Sequence, residues 1–323
     1  TRDREAIPPL HRCKGLHHTA LSQFTEGYEA YGDLLRHARE ADNSEQQAIA
    51  LQGLGIIHRL RGDIVRAIDS YQQAATLCQT PELSEAIAPI MNSLAICYSI
   101  IGEYGKALQA YHSSLEAYRL RGNHRGIAKA TLNIGSMYLN IGDHASAAKH
   151  FQEYLELQPK FTDPPSTGVA LQGMARLHLE QGNHSEATRF ATEAAQFFTR
   201  LGNTMGKAKA IGTLGLIHRA TGKLSESLPQ FQEAAELAQS IGETETYVIS
   251  LQNVGTTLME LGEITQARIQ LEQAEQAARR HILRDHHLAI CGHLADVCGL
   301  QEDFPNAYRF RTEQLRLDHE IAD

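Results

Sequence analysis

A period of 40 residues runs through this chain of 323 residues and limits what it can fold into. Glycine recurs at that step at six positions: Gly62, Gly102, Gly142, Gly182, Gly222 and Gly262. Five residues after each glycine comes a small residue: Ala67, Ala107, Ala147, Ala187, Ser227 and Ala267. Seven residues before each glycine the residue is also small: Gly55, Ala95, Gly135, Ala175, Gly215 and Gly255. A fixed period of this size indicates an array of like units, in which each unit packs on its neighbours.

Each unit is predicted to be a pair of helices joined by a short turn. Apolar and small residues recur at i, i+3, i+4 and i+7 over residues 47–61, which predicts a first helix. Gly62 ends that helix, and a second helix is predicted over residues 64–78. Most second helices carry a large aromatic residue four places after the small one: Tyr71, Tyr111, Phe151 and Phe231, with Ala191 and Leu271 as exceptions. The small residues let the two helices approach closely, and the large residue fills the gap to the next unit.

The period predicts one all-α domain, residues 1–323, built from eight units. Their predicted boundaries are a degenerate N-terminal repeat 10–45, repeats 46–85, 86–125, 126–165, 166–205, 206–245 and 246–285, and an atypical C-terminal repeat 286–323. Ser22 replaces the turn glycine in the first unit and Glu302 replaces it in the last. Such losses are expected at the ends of an array, where one face of the unit meets water. Pro229 lies inside a predicted second helix, where we expect a kink.

Composition excludes several classes of protein. The net charge of −8 argues against nucleic acid as the main partner, because phosphate binding needs a basic surface. No apolar run approaches the ~20 residues that span a bilayer, so no membrane association is expected. The five cysteines include no C-x-x-C pair and indicate buried thiols of a reducing, cytoplasmic compartment. The chain begins on Thr1, with no secretory signal, and is expected to be part of a longer protein.

We call each set of residues that recurs at the 40-residue step a column. The two columns of small residues and the column of aromatic residues resemble the tetratricopeptide repeat. The segments that carry the resemblance are Leu54-Gly55, Ala95-Ile96-Cys97-Tyr98, Gly135-Ser136-Met137-Tyr138, Gly215 and the closing Pro159. The chain has no tryptophan, and apolar residues such as Leu51 and Met91 take the place of the usual one. The long period is similar to that of repeats in bacterial regulators and mitotic-spindle adaptors. The resemblance implies a right-handed superhelical solenoid whose first helices line a concave groove, and this groove binds peptide segments without catalysis.

One face of each first helix is expected to line that groove. By helical spacing the candidate peptide-binding residues are Gln52, Arg59, Asn92, Lys129, Asn133, Ser136, Asn140, Gln172, Arg176, Lys209, Arg219, Gln252, Asn253, Thr256 and Glu260. Amide side chains suit a peptide backbone, because they offer a donor and an acceptor together. Asn133 and Asn253 match asparagines that contact peptide in the long-period relatives. Lys129, Arg176, Lys209 and Arg219 are expected to receive carboxylates of an acidic partner. The competing interpretation is that all of these residues form solvated helix faces.

Other chemistry finds little support in the sequence. His18, His58, His178 and His218 share one column with Tyr98 and Tyr138, which indicates flat amphipathic rings between helices rather than a pH switch. His287 and Cys291 have the i, i+4 spacing of a metal pair, but Cys291 falls in a buried column. No Walker loop, G-x-S-x-G or H-E-x-x-H motif occurs. We therefore predict no catalytic residue, no metal and no cofactor.

Three functions fit this pattern, and the first is favoured. It is a non-catalytic module that binds a protein or peptide segment in the groove, as the regulatory region of a larger bacterial signalling protein. The alternative is a stand-alone scaffold that self-associates as a homodimer through a terminal repeat. A more remote alternative is an RNA-binding helical repeat, which would need a basic groove and a code of paired side chains in each unit.

Overall fold

The computed structural model describes residues 14–17, 19, 23–78, 84–157 and 164–322, and its regular elements are all helices. Fifteen of these helices have defined bounds within the described residues: α1 (Phe24–Glu40), α2 (Ser44–Leu60), α3 (Ile64–Leu77), α4 (Ser84–Ile100), α5 (Tyr104–Leu120), α6 (His124–Ile141), α7 (His144–Leu157), α8 (Pro164–Glu180), α9 (His184–Arg200), α10 (Thr204–Ala220), α11 (Leu224–Ser240), α12 (Thr244–Glu260), α13 (Ile264–Arg280), α14 (Arg284–Leu300) and α15 (Phe304–Ala322). The predicted all-α class of paired helices is therefore confirmed.

Contacts divide the chain into two compact units, Thr1–Asp163 and Pro164–Asp323, which we call unit 1 and unit 2. In unit 1, helix α1 packs on α2, and the hairpins are α2 with α3, α4 with α5 and α6 with α7. In unit 2 the hairpins are α8 with α9, α10 with α11, α12 with α13 and α14 with α15. The predicted repeat boundaries stay a prediction. Ser22 and Pro159, which the sequence argument used, lie outside the described residues.

The turn glycines end the first helices for a conformational reason. At Gly62 the backbone has φ +82°, a left-handed conformation that glycine adopts without a steric penalty. The Gly62 and Asp63 amides then donate to the carbonyl oxygens of Arg59 and His58, at 3.1 and 2.9 Å. The Asp63 carboxylate in turn accepts the Arg66 amide at 3.2 Å and begins the second helix. One short segment therefore ends α2 and starts α3.

Ile282 occupies a turn position where three earlier repeats have glycine, at Gly122, Gly202 and Gly242. Its φ is +58°, which is unfavourable for a β-branched residue, and 73% of its surface is exposed. We expect Ile282→Gly to stabilise the protein by about 0.5–1 kcal/mol, because relief of strain outweighs the greater freedom of glycine in the unfolded chain. Urea unfolding followed by circular dichroism measures the change. Gly242→Ile is the reciprocal control and should destabilise the protein; unfolding of Ile282→Gly at lower urea than wild type would contradict the prediction.

The predicted packing of large residues against small columns is present in both units. Tyr71 is fully buried, and a β-carbon on Gly55 would lie 2.7 Å from its ring. In the repeat where Ala191 leaves the large column empty, Phe198 fills the core about two helical turns further along α9. Its ring lies against both Gly168 and Gly206, which belong to successive first helices. Phe198 is thus buried partly by its own hairpin and partly by the next one, as expected for an array in which each unit packs on its neighbours.

Two further features of the helices bear on the sequence predictions. Helix α11 runs without interruption through Pro229, and the kink expected there stays a prediction. Among the described helices, none combines the length and the apolar character that crossing a bilayer requires.

Candidate functional site

Successive first helices contact each other within each unit and present one continuous face. In unit 1 these contacts join α2 to α4 and α4 to α6. In unit 2 they join α8 to α10, α10 to α12 and α12 to α14. We call the side of the first helices that carries the predicted peptide-binding residues the first-helix face. Polar side chains on this face are close enough to bond from one repeat to the next.

In unit 1 an asparagine pair bridges two repeats. The Asn133 amide on α6 donates through Nδ2 to Oδ1 of Asn92 on α4, at 2.8 Å. Asn92 is only 5% exposed, so this predicted binding residue is buried and supports Asn133 rather than presenting itself to a ligand. Asn133 is half-buried, and its Oδ1 and second N–H remain as an acceptor and a donor for another group. The pair therefore fixes the orientation of one amide on the face.

The other predicted residues of unit 1 differ in accessibility. Lys129 and Asn140 are exposed on α6, whereas Ser136 is half-buried and its hydroxyl donates to the Leu132 carbonyl at 3.0 Å. Gln52 is half-buried on α2. Arg59 points toward the repeat interface, where its charge opposes the effect of burial that raises the pKa of Tyr71 to about 12. Arg59 was predicted to face a bound peptide, whereas its contact with Tyr71 directs it toward the protein interior.

In unit 2 a single arginine joins two repeats. Arg219 on α10 donates through Nη1 to the Thr256 hydroxyl at 2.8 Å and to Asn253 Oδ1 at 3.3 Å, both on α12. Its Nε lies 3.8 Å from the Glu260 carboxylate. These four residues were all predicted from helical spacing, and the structure brings them together. The Asn253 amide nitrogen is left free to donate, next to a fixed guanidinium.

The next repeat continues this polar strip with residues that the sequence prediction missed. His293 on α14 occupies the column of Asn133 and Asn253. Burial lowers the pKa of His293, Asp296 opposes that shift, and the charge of Arg219 adds to the lowering. Arg311 on α15 donates to the Asp296 carboxylate at 2.7 Å. Extending the 40-residue column past Asn253 to His293 would have found this part of the face.

The remaining predicted residues of unit 2 are less closely connected. Arg176 on α8 donates to its own-helix neighbour Glu180 at 2.9 Å and is exposed. Lys209 is exposed on α10, and Gln172 and Gln252 are half-buried. Of the four predicted cations, Arg176, Lys209 and Arg219 belong to unit 2 and Lys129 belongs to unit 1. Arg176 and Arg219 already face carboxylates of this chain, which leaves the two lysines as the open positive charges of the set.

The histidine column lies between helices, as its flat amphipathic rings indicated. His178 stacks on Phe190 with ring centroids 5.4 Å apart, and His58 packs edge-on against Tyr28 at 5.5 Å. Burial lowers the pKa of His58, so its neutral ring is the favoured form in the folded chain. His18 lies outside the described residues.

The pair His287 and Cys291 does not meet at a metal site. Cys291 is fully buried, and burial raises the pKa of its thiol to about 12. His287 instead bonds the Glu275 carboxylate at 3.0 Å. No group of three metal-binding side chains occurs among the described residues.

Comparison of the sequence with protein families places the chain in a known class. The tetratricopeptide repeat family matches residues 7–80, 86–160 and 206–280, which together exceed half of the chain. The chain therefore belongs to the tetratricopeptide repeat family. No curated protein sequence is significantly similar to it.

Solved structures of similar fold include proteins of signalling and gene regulation. The apo quorum sensor NprR from B. thuringiensis is 13% identical with a TM-score of 0.76, over 96% of this chain and 87% of that protein. The Rap conjugation gene regulator of plasmid pLS20, in complex with the Phr* peptide, is 12% identical with a TM-score of 0.66, over 98% and 96%. The signal transduction ATPase PH0952 from Pyrococcus horikoshii, which has a tetratricopeptide repeat sensor, is 16% identical with a TM-score of 0.70, over 99% of this chain and 48% of that protein. These likenesses establish the repeat fold.

Proposed function

We propose that the first-helix face binds an extended peptide segment and that the chain is a non-catalytic regulatory module. The observation that carries the proposal is the Arg219 network, which holds the Asn253 amide in a fixed orientation on α12. Preorganised amides suit a peptide backbone, because binding then orders fewer side chains. In unit 1 the bond from Asn133 to Asn92 has the same effect on α6. The Rap regulator of similar fold was solved with a peptide bound, which supports the same use of the fold here.

A regulatory role within a larger signalling protein extends this proposal. The similar repeats of PH0952 form the sensor of a signal transduction ATPase, and this chain covers 48% of that protein. A module of this kind changes the output of a second domain when a peptide occupies it, since a ligand shifts whichever state it binds more tightly. The open lysines, Lys129 and Lys209, favour peptides with acidic side chains. A reducing cytoplasm, as the cysteine content indicated, is the proposed location.

Peptide selection followed by affinity measurement tests the proposed binding face. Peptides are selected from a random display library against the full chain, and their dissociation constants are measured by fluorescence anisotropy. We expect Asn253→Ala and Arg219→Ala each to weaken binding about tenfold, because each removes hydrogen bonds to the peptide or the support of the amide that makes them. Asn133→Ala tests the first-helix face of unit 1 in the same way, through its effect on the dissociation constant of the peptide.

The matched control is Gln232→Ala, which removes an exposed amide from second helix α11 of the same unit. It should leave affinity within about twofold of wild type, as expected for a surface residue outside the contact. If the first-helix variants bind as well as this control, or if selection yields no peptide, the proposed function is wrong. Circular dichroism melting checks that each variant is folded.

A second candidate function is self-association through the last hairpin. Leu300 on α14 and Phe304 and Leu315 on α15 are each about two-thirds exposed, at 65%, 67% and 65%. Leu300 and Phe304 flank the last turn, and exposed apolar side chains on a terminal hairpin favour an interface with another chain. Light scattering separates the two candidates, because a self-associating chain gains mass with concentration and a peptide-binding monomer does not.

A further inference from the structure

A cleft opens in unit 2 between the second helices of the last two repeats, α13 and α15. Two adjoining recesses there have volumes of about 840 and 770 Å³. Both are lined by Glu275 and Arg279 of α13 and by Arg309 and Phe310 of α15, so they form one continuous space that we call the terminal cleft. Because second helices build it, it shares no residue with the first-helix face.

The repeats themselves show that this cleft departs from the pattern of the array. At the column of Glu275 the five preceding repeats have alanine or leucine: Ala75, Leu115, Leu155, Ala195 and Ala235. At the column of His287, unit 1 has Ile87 and Ile127, whereas the earlier repeats of unit 2 have Thr167, Lys207 and Tyr247. Glu275 thus brings a carboxylate to a place that is apolar in the five preceding repeats. It lies where α13 meets α14, and the side chains of Glu275 and His287 are 19% and 6% exposed. Burying such groups needs a compensating interaction, so packing alone does not explain the change.

The carboxylates of the terminal cleft already have hydrogen-bond partners within the chain. Each one has a partner within 3.0 Å: Glu272 with Arg268, Glu275 with His287 and Glu313 with Arg316. The pKa of Glu313 is lowered mainly by its bonds to Arg316. Glu272 and Glu313 are therefore paired with arginine charges, which reduces the negative potential that they contribute to the cleft. Glu275 is held by its hydrogen bond to His287.

Three arginines of the same cleft lack such partners. Among the described residues, no carboxylate lies within the 4.0 Å ion-pair distance of Arg279, Arg280 or Arg309. All three are exposed, and the Arg309 guanidinium lies over the ring of Phe310, 4.4 Å from its centroid. The result is a locally cationic cleft in a chain whose net charge is −8. Arginines held by an aromatic ring are well placed to receive carboxylates in a planar, two-point arrangement.

The rims of the cleft add apolar contact on both sides. Ile269 on α13 is 49% exposed, and Tyr308 on α15 is 76% exposed. Each lines one of the two recesses. A ligand that fits this arrangement carries negative charges toward the arginines and apolar side chains toward the rims.

We propose that the terminal cleft binds an acidic peptide segment with interspersed apolar residues, as a second binding site of this chain. Its recognition is distinct from that of the first-helix face: the arginines supply charge-assisted hydrogen bonds, and Ile269 and Tyr308 bury apolar side chains of the partner. Occupation of the cleft and of the first-helix face by different segments would make the chain an adaptor between two partners.

Fluorescence anisotropy with the full chain tests the cleft. The probe is a fluorescein-labelled peptide that alternates glutamate with leucine, at physiological ionic strength. We expect saturable binding that Arg279→Gln with Arg309→Gln weakens about tenfold or more, as the loss of two charge-assisted contacts implies. Tyr308→Ser, which leaves the charges intact, should weaken binding by a smaller factor. The same peptide with lysine in place of glutamate should not bind.

A charge-matched control decides whether any loss is local. Arg200→Gln with Lys223→Gln removes two exposed positive charges of unit 2 outside the terminal cleft. It should leave the affinity within about twofold of wild type, since exposed charges that lie more than a Debye length from the bound peptide are screened. Equal weakening by both double variants, or absence of saturable binding, would overturn the proposal. The proposal would also be wrong if a single-stranded RNA oligonucleotide displaced the labelled peptide at a lower concentration than the unlabelled peptide does. It would likewise be wrong if light scattering showed that the chain forms a dimer and the peptide did not bind to that dimer. Asn253→Ala should bind this probe as the wild type does. A failure of the proposed first-helix site can therefore be told apart from a failure of the terminal cleft.

Discussion

Phe198→Ala is expected to lower the free energy of unfolding by about 3–5 kcal/mol, as loss of a large buried aromatic residue does. Phe198 on α9 is 2% exposed. A β-carbon added to Gly168 on α8 would lie 2.5 Å from its ring, and one added to Gly206 on α10 would overlap the same ring. The side chain therefore fills the space between two successive first helices. Its removal leaves a cavity that two helices must collapse to close.

The same contact makes the effect of Gly206→Ala depend on residue 198. In the wild-type chain the added methyl group meets the Phe198 ring, and we expect a net loss of about 1–2 kcal/mol after the helix propensity of alanine is counted. In a Phe198→Ala chain the ring is absent, so the substitution should stabilise the protein by up to about 1 kcal/mol. Urea unfolding of the four chains gives the interaction energy of a double-mutant cycle.

Gly212→Ala is the control within the same helix. The nearest atom to a β-carbon at Gly212 is the Ala234 β-carbon, 4.0 Å away, which is ordinary contact. This substitution should stabilise the wild type by roughly 0.5–1 kcal/mol through helix propensity alone. Equal effects of the two glycine substitutions, or additivity of Gly206→Ala with Phe198→Ala, would show that the ring does not hold these helices apart.

Phe198 also marks how far the sequence could predict the core. The 40-residue columns predicted the helix pairs and the packing of Tyr71 against Gly55, because those residues recur in phase. Phe198 lies outside the aromatic column, in the repeat where that column holds Ala191. Phe198 shares its place in the 40-residue period with Tyr118, whose ring lies against Gly126 as the ring of Phe198 lies against Gly206. The other repeats lack this aromatic–glycine pair, so a pattern common to most repeats does not report it. The positive φ of Ile282 is another local departure of this kind.

The candidate binding face was predictable in its position but not in its connections. Helical spacing placed Arg219, Asn253 and Thr256 on one side of their helices, and the structure joins them by hydrogen bonds. Spacing could not show that Asn92 is buried beneath Asn133, because burial depends on how closely α4 and α6 approach. The terminal cleft was beyond a column analysis for a similar reason. Its character depends on which arginines find a carboxylate, and that is set by side-chain geometry between α13 and α15.

Glu275→Ala is expected to destabilise the protein by about 2–3 kcal/mol, the second large effect that the structure predicts. The substitution leaves the buried His287 ring without its 3.0 Å partner. An earlier repeat shows which apolar residues can replace this pair. Five periods before Glu275 and His287, the equivalent residues are Ala75 and Ile87, which pack against one apolar cluster. Glu275→Ala with His287→Ile should therefore recover the stability of wild type to within about 1 kcal/mol or exceed it, because well-packed apolar side chains replace buried polar pairs without loss.

His287→Ile alone separates the two contributions to this effect. It removes the ring but leaves the Glu275 carboxylate facing an apolar side chain, so it should be less stable than the double variant. Urea unfolding of the wild type, both single variants and the double variant gives the interaction energy directly. A double variant no more stable than the less stable single variant would show that the pair is required for the packing of α13 on α14.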